Sequence, residues 1–254
     1  MKIALCQFDQ VWEDRAANKQ KITSLLAACP RISAAQWLVF PEMTLSGFSM
    51  NTSATTLAAA DLAFFQTMAQ AHNRWVSFGG VVNGFNKIIT LNPAGAIVSA
   101  YAKIHLYSFA GENKHYTSGA TQETFLLDTL AVTPAVCFDL RFPYLFWNKA
   151  EVTDVFVVIA SWPARRAEHW MTLLRARAVE NQCYVVGVNR TGKDPTLEYS
   201  GNSMIFDPLG KVVLDCTSAE GAFVAEIDVT KELVTTTRTR FPFFNDKKSG
   251  AQFA

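Results

Sequence analysis

Short apolar runs alternate along the chain with segments whose apolar residues recur every three or four positions, the pattern of strands and helices layered as α/β. Residues 2–7 predict a first strand, and a helix follows over 14–29 with Asp14 as its N-cap. Residues 37–40 predict the second strand. Asp61 then caps a helix that sets Leu62, Phe65, Met68 and Ala69 on one face. The chain returns as a strand over 75–82, where Gly79 and Gly80 signal close backbone approach. Residues 130–136 and 155–160 are strands, the second wholly apolar, as a strand covered on both faces is. A helix over 168–182, with Trp170, Leu173, Leu174 and Ala178 on one face, leads into a strand over 183–188.

One turn motif occurs twice. Asn92-Pro93-Ala94-Gly95 joins strands at 88–91 and 96–102, and Asp207-Pro208-Leu209-Gly210 joins strands at 203–206 and 211–214. The recurrence predicts two similar halves, each finishing its sheet with an antiparallel hairpin, in a two-sheet sandwich with helices outside. No Gly/Ser linker or low-complexity tract interrupts the chain, so residues 1–254 are expected to form a single domain.

Composition narrows the partners. Half of the 254 residues are hydrophobic, enough for one large α/β domain. Basic and acidic residues nearly cancel, 23 against 22, and the basic clusters Arg165-Arg166 and Lys247-Lys248 are short. That balance leaves no electrostatic footprint for nucleic acid or an anionic membrane. No apolar stretch reaches the roughly 20 residues of a membrane span, and residues 1–6 carry no signal-peptide pattern, so a cytoplasmic location is expected. Cys6, Cys29, Cys137, Cys183 and Cys216 are odd in number and lack a CxxC pair, which argues against a disulfide framework and a structural zinc site.

Candidate chemistry gathers at strand ends. Cys137 closes the run 130–136 and opens the turn Phe138-Asp139-Leu140-Arg141. Alone it reads as a small buried hydrophobe. But 37–40 runs into Pro41-Glu42-Met43, and 97–102 into Lys103-Ile104-His105-Leu106, so a carboxylate, an ammonium and a thiol each follow an extended segment. In open α/β sheets such ends converge on one crevice. Together they make an acyl-transfer site in which Glu42 takes the thiol proton and the thiolate attacks a carbonyl carbon. Lys103 and the backbone N–H of Phe138 would stabilise the oxyanion. Plainer readings exist for each: Glu42 as a cap after Pro41, Lys103 as a solvated charge, His105 as a satisfied core histidine. A pairing of Cys137 with His105, His115 or His169 stays open, whereas the four histidines lack metal-ligand spacing. There is no GxSxG elbow, HExxH or P-loop.

Pro41-Glu42, Lys103-x-His105-Leu106 and Cys137-Phe138-Asp139-Leu140-Arg141-Phe142-Pro143 resemble the Glu, Lys and Cys signatures of the nitrilase superfamily of carbon–nitrogen hydrolases, in the family's order. The resemblance implies an α-β-β-α sandwich that pairs into a four-layered α-β-β-α-α-β-β-α dimer, with no cofactor. It also implies Glu42 as general base, Lys103 at the oxyanion, Cys137 as nucleophile, and Glu112 as the second glutamate that orients Lys103. The stretch Ala160-Ser161-Trp162-Pro163 with Arg166, His169-Trp170 and Asn189-Arg190 is similar to the omega-amidase branch, which releases ammonia from 2-oxo dicarboxylic monoamides such as 2-oxoglutaramate and 2-oxosuccinamate. The loop over 107–116 is short, departs from the longer acidic version of the animal enzymes and looks more like the bacterial form. Another small-amide or N-carbamoyl hydrolase is the alternative on the same scaffold, and an inactive binding scaffold the alternative of another class.

Arg141, Arg165 or Arg166 could fork onto the carboxylate of a small anionic amide substrate, and Phe109, Phe138 and Trp162 could wall its pocket. Arg141 reads equally as an ion-pair partner of nearby Asp139. Finally, Arg238-Thr239-Arg240-Phe241-Pro242-Phe243-Phe244 is aromatic yet irregular and needs cover. The tail 238–254 is therefore expected to pack on a second copy in a homodimer.

Overall fold

The computed structural model, which describes residues 1–228 and 230–247, has two six-stranded sheets packed face to face between outer helices. The first half of the chain forms β1 (Lys2–Gln7), α1 (Arg15–Ala27), β2 (Trp37–Val39), α2 (Thr52–Thr55), α3 (Ala59–Ala71), β3 (Trp75–Val82), β4 (Phe85–Leu91) and β5 (Ile97–Ala102). The second forms β6 (Phe125–Leu127), β7 (Leu130–Val136), α4 (Pro143–Trp147), β8 (Val155–Ala160), α5 (Ala167–Asn181), β9 (Tyr184–Asn189), β10 (Thr191–Lys193), β11 (Glu198–Ser200), β12 (Met204–Phe206) and β13 (Val212–Asp215). β14 (Gly221–Glu226) and α6 (Glu232–Arg240) follow.

The first sheet runs β14-β1-β2-β3-β4-β5 and the second, read from its other edge, β6-β7-β8-β9-β12-β13. In each, three parallel strands are flanked by one antiparallel strand on one side and an antiparallel hairpin on the other. The two-halves expectation therefore holds in the topology, down to the turns. Asn92 Oδ1 accepts from the N–H groups of Ala94 and Ala96 at 3.0 Å each, and Asp207 Oδ1 accepts from Leu209 and Lys211 at 2.8 and 2.9 Å.

Side-chain alternation builds the layers. Ile3, Leu5, Trp37 and Val39 point inward against Val155, Val157, Ile159 and Val186, forming the core between the sheets. Ala4, Cys6, Leu38 and Phe40 point outward and are covered with Ile22 of α1 and Phe65, Met68 and Ala69 of α3. Phe156, Val158 and Ala160 are covered by Trp170, Leu174 and Ala178 of α5. The result is an α-β-β-α sandwich.

Local boundaries shift where polar groups intervene. Asp14 does cap α1, its Oδ1 accepting from the Ala17 N–H at 2.9 Å, but the helix ends at Ala27. Asp61 is not the cap of α3 but lies in its first turn, reaching back to the Ala58 N–H at 2.8 Å and pairing with Arg15 and Lys19 of α1 at 2.9 and 2.7 Å. β4 begins at Phe85, earlier than its apolar run suggests. The C-terminal stretch is helical to Arg240 rather than irregular. Its aromatics also find cover in their own chain, since Phe243 stacks on Trp147 with rings 6.1 Å apart and Arg238 Nη2 donates to the carbonyls of Ala150 and Thr153 at 2.8 and 2.7 Å. Phe241 stays exposed, and Lys248 with the remainder of the 238–254 tail lies outside the described residues. Among the described residues no helix is long and apolar enough to cross a membrane.

Candidate active site

Glu42 stands three residues beyond β2, where the backbone of β3 passes very close. A Cβ on Gly79 would lie 2.7 Å from the Glu42 Cα and 2.4 Å from the Met43 nitrogen, so only glycine allows the approach. Glu42, Lys103 and Glu112 are all 0% exposed. Lys103 Nζ donates to Glu42 Oε1 at 3.0 Å and to both oxygens of Glu112 at 3.1 and 2.9 Å. Asn86, at the start of β4, joins the two carboxylates by donating from Nδ2 to Glu42 Oε1 at 2.8 Å and Glu112 Oε1 at 2.9 Å. The N–H of Ser161 donates to Glu42 Oε2 at 2.9 Å, and that of Tyr107 to Glu112 Oε2 at 2.6 Å. The cap and solvated-charge readings of Glu42 and Lys103 are thereby overturned. Burial alone would lower the Lys103 pKa, but the charges of Glu112 and Glu42 outweigh it and the net direction is up. The ammonium is locked in its charged form.

Cys137 heads the tight turn Cys137–Arg141 with φ of 47°, a left-handed conformation that is uncommon for cysteine and marks functional turns. Burial, then the charge of Glu42, push its thiol well above the ordinary range, while Lys103 and the Ser161 N–H pull the other way. The resting sulfur is therefore a thiol at neutral pH. Asp139 anchors this turn to the strand that leads to Lys103: it accepts from the Val136 N–H at 3.0 Å, the Tyr101 hydroxyl at 2.8 Å and the His105 N–H at 2.9 Å.

That anchoring settles two open readings. Asp139 is spent on these donors and on His105 Nδ1 at 2.8 Å, so it forms no ion pair with Arg141. The other ring nitrogen of His105 meets the Tyr144 hydroxyl and its ring stacks on Phe142 at 3.7 Å, so it is a satisfied structural histidine. His115 is exposed and His169 contacts Arg141 at 3.2 Å. No histidine lines the cavity at Cys137, which removes the Cys–His alternative.

The cavity, about 870 Å³, is bordered by Lys103, Cys137 and Ser161 at its catalytic end. Phe109, Phe138 and Trp162 wall it as expected, Phe109 at the rim with 83% of its surface exposed. Arg141, Arg165 and Arg166 line it too, and among the described residues none of the three forms an ion pair. Arg141 lies over Trp162 at 4.8 Å and Arg166 over Tyr107 at 5.7 Å. Burial, then the nearby charge of Arg166, lower the Arg141 pKa. Two guanidinium groups that oppose each other are stabilised by an anion between them. Glu42 and Glu112 sit one layer behind this wall.

Nothing in the residue pattern pointed to Asn86, and Asn189, which fixes the turn after β8, had entered only through the omega-amidase resemblance, with no role assigned to it. Asn189 Oδ1 accepts from the Trp162 N–H at 2.7 Å, and its Nδ2 donates to the carbonyls of Trp162 and Gly201 at 3.0 and 2.8 Å. A polar residue inside an apolar strand is the one signal that could have marked either.

Comparison with known proteins agrees with this geometry. The family model for carbon-nitrogen hydrolases matches residues 2–238. An omega-amidase YafV of Yersinia enterocolitica is 34% identical over 252 residues, which cover 97% of this chain and 96% of that protein. A 2-oxoglutaramate amidase of Bacillus subtilis is 32% identical over 256 residues, 96% of each. A solved CN-hydrolase superfamily protein of Xanthomonas campestris, which carries an arsenic adduct in its active site, superposes with a TM-score of 0.90 at 31% identity, covering 98% of this chain and 97% of that one.

Proposed function

Because the chain belongs to the carbon-nitrogen hydrolase family, we propose that it is an omega-amidase, releasing ammonia from the terminal amide of a 2-oxo dicarboxylic monoamide such as 2-oxoglutaramate through a thioester on Cys137. The observation that carries this reading is a cavity joining the buried Glu42–Lys103–Glu112 cluster and Cys137 to three arginines that, among the described residues, form no ion pair. The named relatives, an omega-amidase and a 2-oxoglutaramate amidase, support the same substrate class.

Oε1 of Glu42 is occupied by Lys103 and Asn86, so Oε2 is its proton acceptor. As a thiol with a raised pKa, Cys137 gives up its proton to Glu42 while its sulfur bonds to the amide carbon. Lys103 meets the oxyanion together with the Phe138 N–H, and Glu112 positions Lys103. Glu42 then protonates the departing nitrogen, ammonia leaves, and a water activated by Glu42 cleaves the thioester. Arg141 and Arg166 hold the substrate carboxylate, against Phe138 and Trp162.

A second reading, hydrolysis of larger small-molecule amides or N-carbamoyl compounds, is favoured by the volume of about 870 Å³, near the upper end of small-molecule sites. An inactive scaffold is opposed by the intact cluster, since burying three charges without use is costly. The reading extends to a cytoplasmic homodimer, supported by five cysteines that are all unpaired and by Val152, Val179 and Phe241, which stay exposed near the C-terminal helix.

The test is ammonia release by the pure protein from 2-oxoglutaramate, beside a neutral aliphatic amide and an N-carbamoyl amino acid. The 2-oxo acid amide should have the highest kcat/KM. Faster turnover of either competitor would move the assignment to the second reading, and a folded protein inert to all three would support the scaffold.

A further inference from the structure

Ser161 follows β8 directly and is 5% exposed, on the cavity wall beside Lys103 and Cys137. Its backbone N–H is spent on Glu42 Oε2 at 2.9 Å, but its hydroxyl has no partner among the described residues. A buried hydroxyl left without a hydrogen bond costs about 1–3 kcal/mol. Looseness does not explain it, because Asn189 clamps both the N–H and the carbonyl of the next residue, Trp162.

The two oxygens of Glu42 are not equivalent. Oε1 already has two donors, Lys103 and Asn86, whereas Oε2 has, among the described residues, only the Ser161 N–H. Glu42 itself is fully buried behind the wall, and the residue bonded to Oε2 that also borders the cavity is Ser161, so a molecule that delivers a proton to Oε2 approaches beside it. The substrate amide and the later water both pass this point, but only the water must be oriented by the protein. The amide is already fixed by its bond to carbon, while a water has two hydrogens and two lone pairs to arrange.

From this we infer that Ser161 Oγ is the acceptor that holds the hydrolytic water, a role that rests on the amidase reading and goes beyond it. One hydrogen of the water bonds to Oγ and the other points at Glu42 Oε2, which aims an oxygen lone pair at the thioester carbon. The water proton passes to Oε2 as the C–O bond forms. The C–S bond then breaks, the Glu42 proton returns to the Cys137 sulfur, and the acid leaves. Ser161 is neither oxidised nor acylated and ends as it began.

Ser161→Ala removes the hydroxyl and leaves the N–H on Glu42 in place, so formation of the thioester and its hydrolysis can be separated. The readout is partition of the thioester between water and added hydroxylamine, measured as the hydroxamate-to-acid ratio with 2-oxoglutaramate as substrate. Hydroxylamine is a strong nucleophile with no need of an oriented water. The ratio should rise about tenfold in Ser161→Ala, the factor set by one hydrogen bond of about 1.4 kcal/mol. Intact-mass measurement after rapid quench should show more Cys137 adduct, and Ser161→Thr, which keeps a hydroxyl, should partition like the wild type. Ser161→Gly repeats the deletion should the alanine variant fail to fold. An unchanged ratio with lower turnover would mean that the hydroxyl serves acylation or packing, and would overturn the inference while leaving the amidase reading intact. A wild-type protein that forms neither thioester nor hydroxamate would overturn the amidase reading and, with it, this one.

Discussion

Equivalent strands of the two sheets end in different chemistry. β2 and β8 are the middle strands of their parallel trios, yet β2 leads to the charged Glu42 and β8 to the neutral Ser161. β7 leads to Cys137, whereas its counterpart β1 leads to Phe8, which is fully buried. β5 leads to Lys103, and its counterpart β13 to the buried Cys216. One half thus supplies Glu42, Lys103, Glu112 and Asn86, which satisfy one another out of water. The other supplies the sulfur and, on the cavity wall, Ser161, Trp162 and the three arginines. A repeated scaffold offers the same positions twice, and division of labour comes from which side chains occupy them.

The sharpest way to break this division is at the proposed nucleophile. Cys137→Ala should lower ammonia release by about 10⁴-fold or more and abolish the thioester adduct, with the melting temperature nearly unchanged. Residual turnover near wild type would return the sulfur to the role of its buried equivalents. In the charged half, Lys103→Met should lower kcat by about 10²–10³-fold with little change in KM. It should also destabilise the protein by about 3–5 kcal/mol, because two buried carboxylates lose their counter-ion. A chemical melt with the wild-type midpoint would refute the idea that the cluster is held together by that ammonium.

Communication between the halves is tested by alkylation. The charge of Glu42 raises the Cys137 pKa and that of Lys103 lowers it, and a higher pKa means less thiolate at a given pH. Glu42→Gln should therefore speed iodoacetamide labelling of Cys137 near pH 8 while impairing hydrolysis, and Lys103→Met should slow it. Labelling rates that move together would show that the two halves do not share a field. On the cavity wall, Arg166→Gln should raise KM for an anionic amide about tenfold and leave a neutral amide unaffected, the mark of a ground-state contact.

The smallest effect lies outside the site. Burial would raise the Asp61 pKa, but Lys19, the Ala58 N–H and Arg15 together hold it below the usual carboxylate value. A depressed folded-state pKa gives stability that is present above the unfolded value, about 3.9, and is lost as pH falls through the lower folded one. Asp61→Asn should cost about 1 kcal/mol at pH 7 and close to nothing once the wild-type carboxylate is protonated. Equal losses at both pH values would make its role purely steric.

How much of this could be read from the chain depended on whether a residue acts through its neighbours in sequence or in space. Glu42, Lys103 and Cys137 were legible because each ends an extended run, and the strand pattern carries them to one edge. The hairpin turns were legible because Asn92 and Asp207 bond to their own local backbone. Asn86 was not, since the apolar run suggested a strand from residue 88 and hid the polar residue in the second position of β4. Asp139 beside Arg141 invited a local ion pair, yet its partners Tyr101 and His105 come from across the sandwich. Ser161 looks like any turn serine until its burial and its lone hydroxyl are known.

The first sheet is closed by β14, the last strand to be made, which pairs with β1 along its whole length, and the Met1 ammonium donates to the Ile227 carbonyl at 2.7 Å. On the ribosome, β1 therefore emerges well before the partner that pairs with it, with every other strand of both sheets made in between. Until β14 is made, the nascent polypeptide carries an unpaired strand edge, the kind of edge that joins other chains. The second sheet, by contrast, closes entirely within one continuous stretch of sequence. Protection of newly made molecules during the interval before β14 is made is therefore a matter for the half that holds the charges.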